Sequence, residues 1–270
     1  MELQELYDLI GLRPEVIRRI RSAGEETDLV EAGPYLEAMM DRKTAAEAYR
    51  GLEALLQEDA GHMKMLYCQL ECARRVFERY RQKGISETVY ADTMRCFTRF
   101  LEECGKKNGH MFFDRGWWTY RQISMGLFRI GTLEYEFEEY EEEEVIAVHI
   151  PSDADLSEKA VDLSLKAAGD FFRTYYPEYR YDRYTCDSWL MSPVLKQVLP
   201  EQSNIVCFQE RFVITQEDPE SKEYIEWLFQ VPADTAYLDL PAETSLQKRV
   251  RALLLEGGKV GSAYGILERE

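Results

Sequence analysis

Val145-Ile146-Ala147-Val148-His149-Ile150-Pro151 is the most informative stretch of this sequence. The run before the proline is rich in β-branched residues and shows none of the alternation of a half-exposed strand. It predicts a strand buried on both faces and stopped at Pro151. Upstream, residues 127–138 alternate, with Leu133, Tyr135 and Phe137 on one side and Glu134, Glu136 and Glu138 on the other. Residues 138–144 are mostly glutamate, with Tyr140 among them, and like charges this dense call for the solvated tip of a hairpin. Downstream, Val161, Leu165, Ala168 and Phe172 recur at helical spacing over residues 157–176, and Pro177 closes the helix.

The pattern extends outward from there. Residues 181–188 read as the next strand, and Ser192-Pro193 as the cap and first position of a short helix to Leu199. Residues 205–215 read as a strand with Val206, Phe208, Phe212 and Ile214 on one face. A helix over residues 220–229 follows. Thr244 and Gln247 have capping-box spacing before Leu246, Val250, Leu253 and Leu254, and Gly257-Gly258 ends that helix. Residues 259–267 give a final strand. The first 85 residues lack strand patterns. Leu66, Leu70, Ala73, Phe77 and Tyr80 mark one helical face, Gly84 suits a C-cap, and Thr44 with Glu47 repeats the capping-box spacing. Ser86 opens a further helix running to residues 105–109. The expected class is α+β: a helical N-terminal domain over residues 1–85, then a mixed α/β sheet domain over residues 86–270.

Composition bounds the function. In 270 residues, 33 Lys and Arg face 50 Asp and Glu, a net charge of −17. Such a field repels nucleic acid and anionic membranes, so neither is expected as a partner. No stretch approaches the roughly 18 apolar residues of a membrane span, and the acidic start at Glu2 and Glu5 is unlike a signal peptide, so a cytoplasmic location is expected. The six cysteines form no C-x-x-C pair and do not cluster with the three histidines. They are expected to be reduced packing residues, with no metal site.

Particular phrases resemble a known family. They are His149-Ile150-Pro151 before a helix, Cys186-Asp187-Ser188-Trp189-Leu190 with Pro193, Ser203-Asn204-Ile205 leading into Phe208-Gln209-Glu210-Arg211-Phe212, and Leu240-Pro241 with Thr244-Ser245-Leu246-Gln247. Together with the order of elements they resemble GNAT-like acyltransferases that carry a helical N-terminal domain. The resemblance implies a central sheet split to hold acyl-coenzyme A, and transfer of its acyl group to a small-molecule or amine acceptor. It places the coenzyme against Ile150, Ser152 and Ser157. In the wider group this loop carries Q/R-x-x-G-x-G/A, whose backbone amides approach the pyrophosphate. Here residues 151–157 contain no glycine and no base, and they include Asp153 and Asp155. Compensating charge would come from Lys259 or from Lys248, Arg249 and Arg251; alternatively these are solvated residues of a helix end.

Each candidate for the chemistry has two readings. His149 is a proton acceptor for an amine nucleophile, or a histidine satisfied by a neighbouring strand. Cys186 is a thiol nucleophile, or a packing residue whose thiol Asp187 would make harder to ionise. Asp187 is a base or amine-binding carboxylate, or a turn cap. Trp189 walls a pocket or fills the core. Asn204, Gln209 and Arg211 would lie in or beside one strand, the last two sharing a face that is either exposed or lines a substrate cavity. Three functions compete: an acyl-coenzyme A-dependent N-acyltransferase, a catalytically silent ligand-binding or protein-interaction module on the same fold, and a cysteine-dependent hydrolase.

Overall fold

The computed structural model describes residues 1–269, and the chain forms two compact units, Met1–Arg129 and Ile130–Glu270. The expected boundary near residue 85 coincides instead with a short turn inside the first unit, because the helical segments beyond it share that unit's core.

The first unit is helical: α1 (Leu3–Ile10), α2 (Pro14–Glu25), α3 (Leu29–Met39), α4 (Ala45–Leu56), α5 (Met63–Lys83), α6 (Glu87–Met94), α7 (Cys96–Asn108) and α8 (Gly116–Ile123). The long α5 buries Leu66, Leu70, Ala73 and Tyr80 as its period requires. Its start is set from upstream: the Asp59 carboxylate accepts the Lys64 and Met65 amides, each at 2.8 Å. Gly84, at φ 75°, closes it in the left-handed conformation. Glu71 of α5 is buried, with Arg74 at 2.9 Å and Arg75 at 3.9 Å balancing its charge. The single helix expected from Ser86 is broken at Arg95 into α6 and α7. Thr44 precedes α4 without capping it, since its hydroxyl donates to the Ala38 carbonyl instead.

The six-stranded sheet, whose strands from β2 onward lie in the second unit, is ordered β1-β2-β3-β4-β6-β5. The strands are β1 (Leu127–Ile130), β2 (Leu133–Tyr140), β3 (Glu143–His149), β4 (Arg183–Ser188), β5 (Val213–Asp218) and β6 (Ser262–Glu268). The helices are α9 (Glu158–Tyr175), α10 (Leu195–Val198), α11 (Asn204–Gln209), α12 (Glu223–Phe229) and α13 (Ser245–Leu255). β2 and β3 form the expected hairpin, turning at Glu141 and Glu142 with φ 52° and 67°. Two successive left-handed residues suit a tight hairpin turn. The Thr244–Gln247 capping box forms at α13. Beyond β4, Trp189, Leu195, Tyr224, Ile225, Phe229, Leu240, Val250, Leu254 and Val260 build a satellite core.

The strand expected over residues 205–215 is a correction. Its first part is the helix α11, capped by the Ser203 hydroxyl on the Val206 amide, and only Val213–Asp218 is strand. The buried positions Phe208, Gln209 and Phe212 follow Ile205 at steps of three, four and seven, which is a helical period. Asn204, Gln209 and Arg211 are therefore not strand neighbours. Ser192 likewise does not cap a helix with its hydroxyl, which donates to the Val260 carbonyl at 2.5 Å.

Candidate functional site

The site is built by strand register. β2 and β3 pair antiparallel over seven residues, from Glu134↔His149 to Tyr140↔Glu143, and β4 and β6 pair antiparallel from Arg183↔Glu268 to Ser188↔Ala263. Between these halves, β3 and β4 pair in parallel only at Ile146↔Tyr184 and Ala147↔Thr185. Past that point β3 stays with β2 and β4 stays with β6. The sheet therefore opens at the C-terminal ends of its two central strands, where His149 and Asp187 stand.

Period-two alternation assigns side chains to the two faces of the sheet. α9 covers one face: the Tyr135 hydroxyl meets the Ser164 hydroxyl at 2.9 Å, and Phe137 packs edge-on against Phe172 and Tyr176 with centroids 5.1 and 4.9 Å away. By register, Ile146, Val148, Tyr184 and Cys186 share that face. The other face carries Glu136 and Glu138 of β2, His149 of β3, Thr185 and Asp187 of β4, Tyr264 of β6, and Gln216 and Asp218 of β5.

On this second face His149 Nε2 lies 2.9 Å from a Glu136 carboxylate oxygen. Thr185 donates its hydroxyl to Glu138 at 3.4 Å. Partial desolvation, then the charge of Glu136, raises the Glu138 carboxyl above its ordinary range. Asp187 is raised in the same way, by desolvation and by Asp218, against a lowering influence from His149. Glu223, at the start of α12, is raised by desolvation and by Asp187 and Asp218. Desolvation also pushes the Tyr264 phenol up to about 12, so it stays protonated at neutral pH. Tyr140 stacks on Tyr264 at 4.8 Å and accepts from the Gln216 amide at 3.1 Å, which draws the tip of the β2–β3 hairpin over this face. The result is a mouth lined by carboxylates, one imidazole and two stacked phenols.

The structure gathers only some of the residues expected from the sequence. His149 and Asp187 share the mouth. Cys186 points to the α9 face, fully buried, and burial pushes its thiol well above the ordinary range. Trp189, 8% exposed, belongs to the satellite core. Gln209 is buried and donates to the Leu190 and Ser192 carbonyls at 2.6 and 3.0 Å, tying α11 to the turn after β4. Asn204 is exposed at the start of α11. Arg211 reaches the first turn of α9, with Asp162 at 2.5 Å and the Glu158 carbonyl at 3.5 Å. Ile150, Ser152 and Ser157 lie along the loop from β3 to α9 as the topology requires. Glu136, Glu138, Thr185 and Tyr264 carried no sequence signal beyond the alternation of β2, whose glutamates had the pattern of a plain solvent face.

The loop has features both for and against an anion. Asp155 is occupied locally, accepting the Ser157 amide at 2.9 Å with its carboxylate and the Thr132 hydroxyl at 3.0 Å with its carbonyl. The Ser157 side chain does not cap α9, so the helix keeps amide donors at its start, while the charge of Arg211 is already balanced by Asp162. Of the other basic candidates, Lys259 is engaged with Glu220, Arg249 with the Val198 carbonyl and Arg251 with the Tyr237 carbonyl, and Lys248 is exposed on α13. Among the described residues no group of His, Cys, Asp and Glu could hold a metal ion, and no helix is long and apolar enough to cross a membrane.

Comparison with known proteins follows the same outline. The N-acyltransferase N-terminal domain matches residues 1–125, and the GNAT-like C-terminal domain matches residues 127–267. No curated protein matches the sequence. Among solved structures, a mutant acyltransferase in complex with octanoyl-coenzyme A aligns with a TM-score of 0.83 at 20% identity, over 99% of this chain and 87% of that one. An acyltransferase in complex with decanoyl-coenzyme A and teicoplanin aligns at 0.76 and 20% identity, over 99% of both chains. An acyltransferase with decanoyl-coenzyme A aligns at 0.74 and 18% identity over the full length of both. At such identity the likeness establishes a shared fold. With a mixed sheet that follows the helical segments in sequence, and with family matches over nearly its whole length, this chain belongs to the family of the GNAT-like C-terminal domain, preceded by an N-acyltransferase N-terminal domain.

Proposed function

We propose that this protein transfers an acyl group from acyl-coenzyme A to the nitrogen of a small amine, at the place where β3 and β4 part. The observation that carries the reading is the end of the β3–β4 ladder at Ala147↔Thr185, which leaves His149 and Asp187 on either side of the opening. The thioester carrier would lie at this opening, with its pyrophosphate toward the amide donors at the start of α9. The neighbours crystallised with octanoyl- and decanoyl-coenzyme A support the choice of carrier.

The acceptor enters as an ammonium ion, drawn by Glu138, Asp187 and Asp218. It must lose a proton before its nitrogen can attack, and His149 takes that proton. The nitrogen then bonds to the thioester carbonyl carbon, the carbon–sulfur bond breaks, and the coenzyme leaves as a thiolate that recovers a proton from the nitrogen or from solvent. The net products are an amide, the free thiol of coenzyme A and one proton. A cellular supply of acyl-coenzyme A agrees with the cytoplasmic location expected from the sequence.

The acidic loop favours a second reading, in which the fold persists as a silent binding module: Asp153 and Asp155 repel a pyrophosphate by on the order of 1 to 4 kcal/mol for each close unit-charge pair. Thermal-shift titration with acetyl-, octanoyl- and decanoyl-coenzyme A, followed by thiol-release assays against a panel of amines, separates the two. A ligand that binds the native state raises its melting temperature. A shift with one chain length and thiol release dependent on an amine support transfer; no shift across the series favours the silent module.

A further inference from the structure

We propose that Glu136 is a positioning residue for His149: its carboxylate holds the imidazole by the Nε2–H and so presents Nδ1 as the proton-accepting atom. The inference rests on the reading of His149 as the base and adds the group that orients it.

The geometry comes from the register. His149 pairs directly with Glu134, whereas Glu136 pairs with Ala147. Glu136 and His149 are therefore diagonal neighbours across an antiparallel pair, a separation that long side chains can span. The Glu136 carboxylate reaches Nε2 at 2.9 Å from this diagonal position. An ionised carboxylate can only accept, so the nitrogen facing it carries the proton. In the neutral ring the lone pair then sits on Nδ1, and once Nδ1 has taken a proton from the acceptor, Glu136 faces the resulting imidazolium. Both side chains are about three-quarters shielded, at 25% and 22% exposure, so the contact is partly sheltered from water yet open to a substrate. Glu138 and Asp187 add negative charge around the ring without making this bond.

The test uses the full-length chain with its histidines labelled with nitrogen-15. Three histidines give a readable spectrum, and His149→Ala assigns the signal. The expected result is a His149 Nε2–H proton shifted downfield and protected from exchange with water. Glu136→Ala should abolish that protection while the backbone spectrum persists, and Glu136→Gln, whose amide oxygen still accepts, should weaken it by removing the charge. In turnover assays kcat should fall about tenfold or more while KM for the acyl-coenzyme A stays within about threefold, with Glu136→Asp intermediate. A protected proton that survives unchanged in Glu136→Ala, or a change in KM alone, overturns the proposal. The spectrum decides the contact whether or not turnover is found. Absence of thiol release from the wild-type chain across all thioesters and amines would instead remove the transferase reading.

Discussion

Ala147 and Thr185 form the last register pair between β3 and β4, and two residues further along each strand His149 and Asp187 face an opening. β3 continues on β2 and β4 continues on β6, so the parting exposes no unpaired sheet on either far side. A polar cluster on one face of the sheet and an aromatic core under α9 on the other follow from strand register.

If His149 is the base, His149→Ala should reduce thiol release on the order of a hundredfold to ten-thousandfold, the usual contribution of general-base catalysis. The thermal shift produced by acyl-coenzyme A should stay, because the imidazole acts on the acceptor. A variant within threefold of wild type would remove His149 from the chemistry.

Cys186 and Asp187 are adjacent in sequence but point to opposite faces of β4. Cys186→Ala should therefore keep turnover within about threefold and cost about 1 kcal/mol of stability for the lost packing. Thiol reagents should modify Cys186 only on unfolding. Loss of activity in this variant would revive the hydrolase alternative.

The raised carboxyls of Glu138, Asp187 and Glu223 give a signed pH dependence. Their folded-state values lie above the unfolded ones, so the native state binds more protons between the two. Stability is then highest below the unfolded value, about 4.3 for a glutamate, and declines as pH rises through the folded value. Glu138→Gln should be more stable than wild type near pH 7, and the advantage should vanish near pH 4. Chemical denaturation at several pH values measures this; parallel curves for the two proteins would contradict it.

Gly261 precedes β6 at φ 71°, and a Cβ there would lie 2.5 Å from the Asp218 carbonyl oxygen and 2.7 Å from Pro219 Cα. Both the conformation and the space exclude a side chain. Gly261→Ala should cost on the order of 2 to 4 kcal/mol, read as a lower denaturation midpoint with an unchanged slope. A loss under about 0.5 kcal/mol, the level of an ordinary surface change, would show that the turn relaxes freely.

Local patterns carried much of the architecture. The apolar run ending at Pro151 became β3, the glutamate-rich segment became its hairpin turn, and the stripe from Val161 to Phe172 became α9 between its two prolines. α11 was misread because six residues hold less than two turns, too few for a period of 3.6 to stand out from a period of two. Glu136 had the pattern of any exposed strand glutamate, since nothing in its own neighbourhood marks it as the partner of a residue 13 positions away.

The sequence by itself determined most of the helices and strands, α11 and the break between α6 and α7 excepted, and that His149 would end a buried strand, because propensity, periodicity and proline act over a few residues. Tertiary structure alone decided where β3 and β4 separate, that Cys186 faces α9 while Asp187 joins the polar face, and that Glu136 reaches His149. Those depend on register between strands distant in the chain, which the packing of the whole sheet sets.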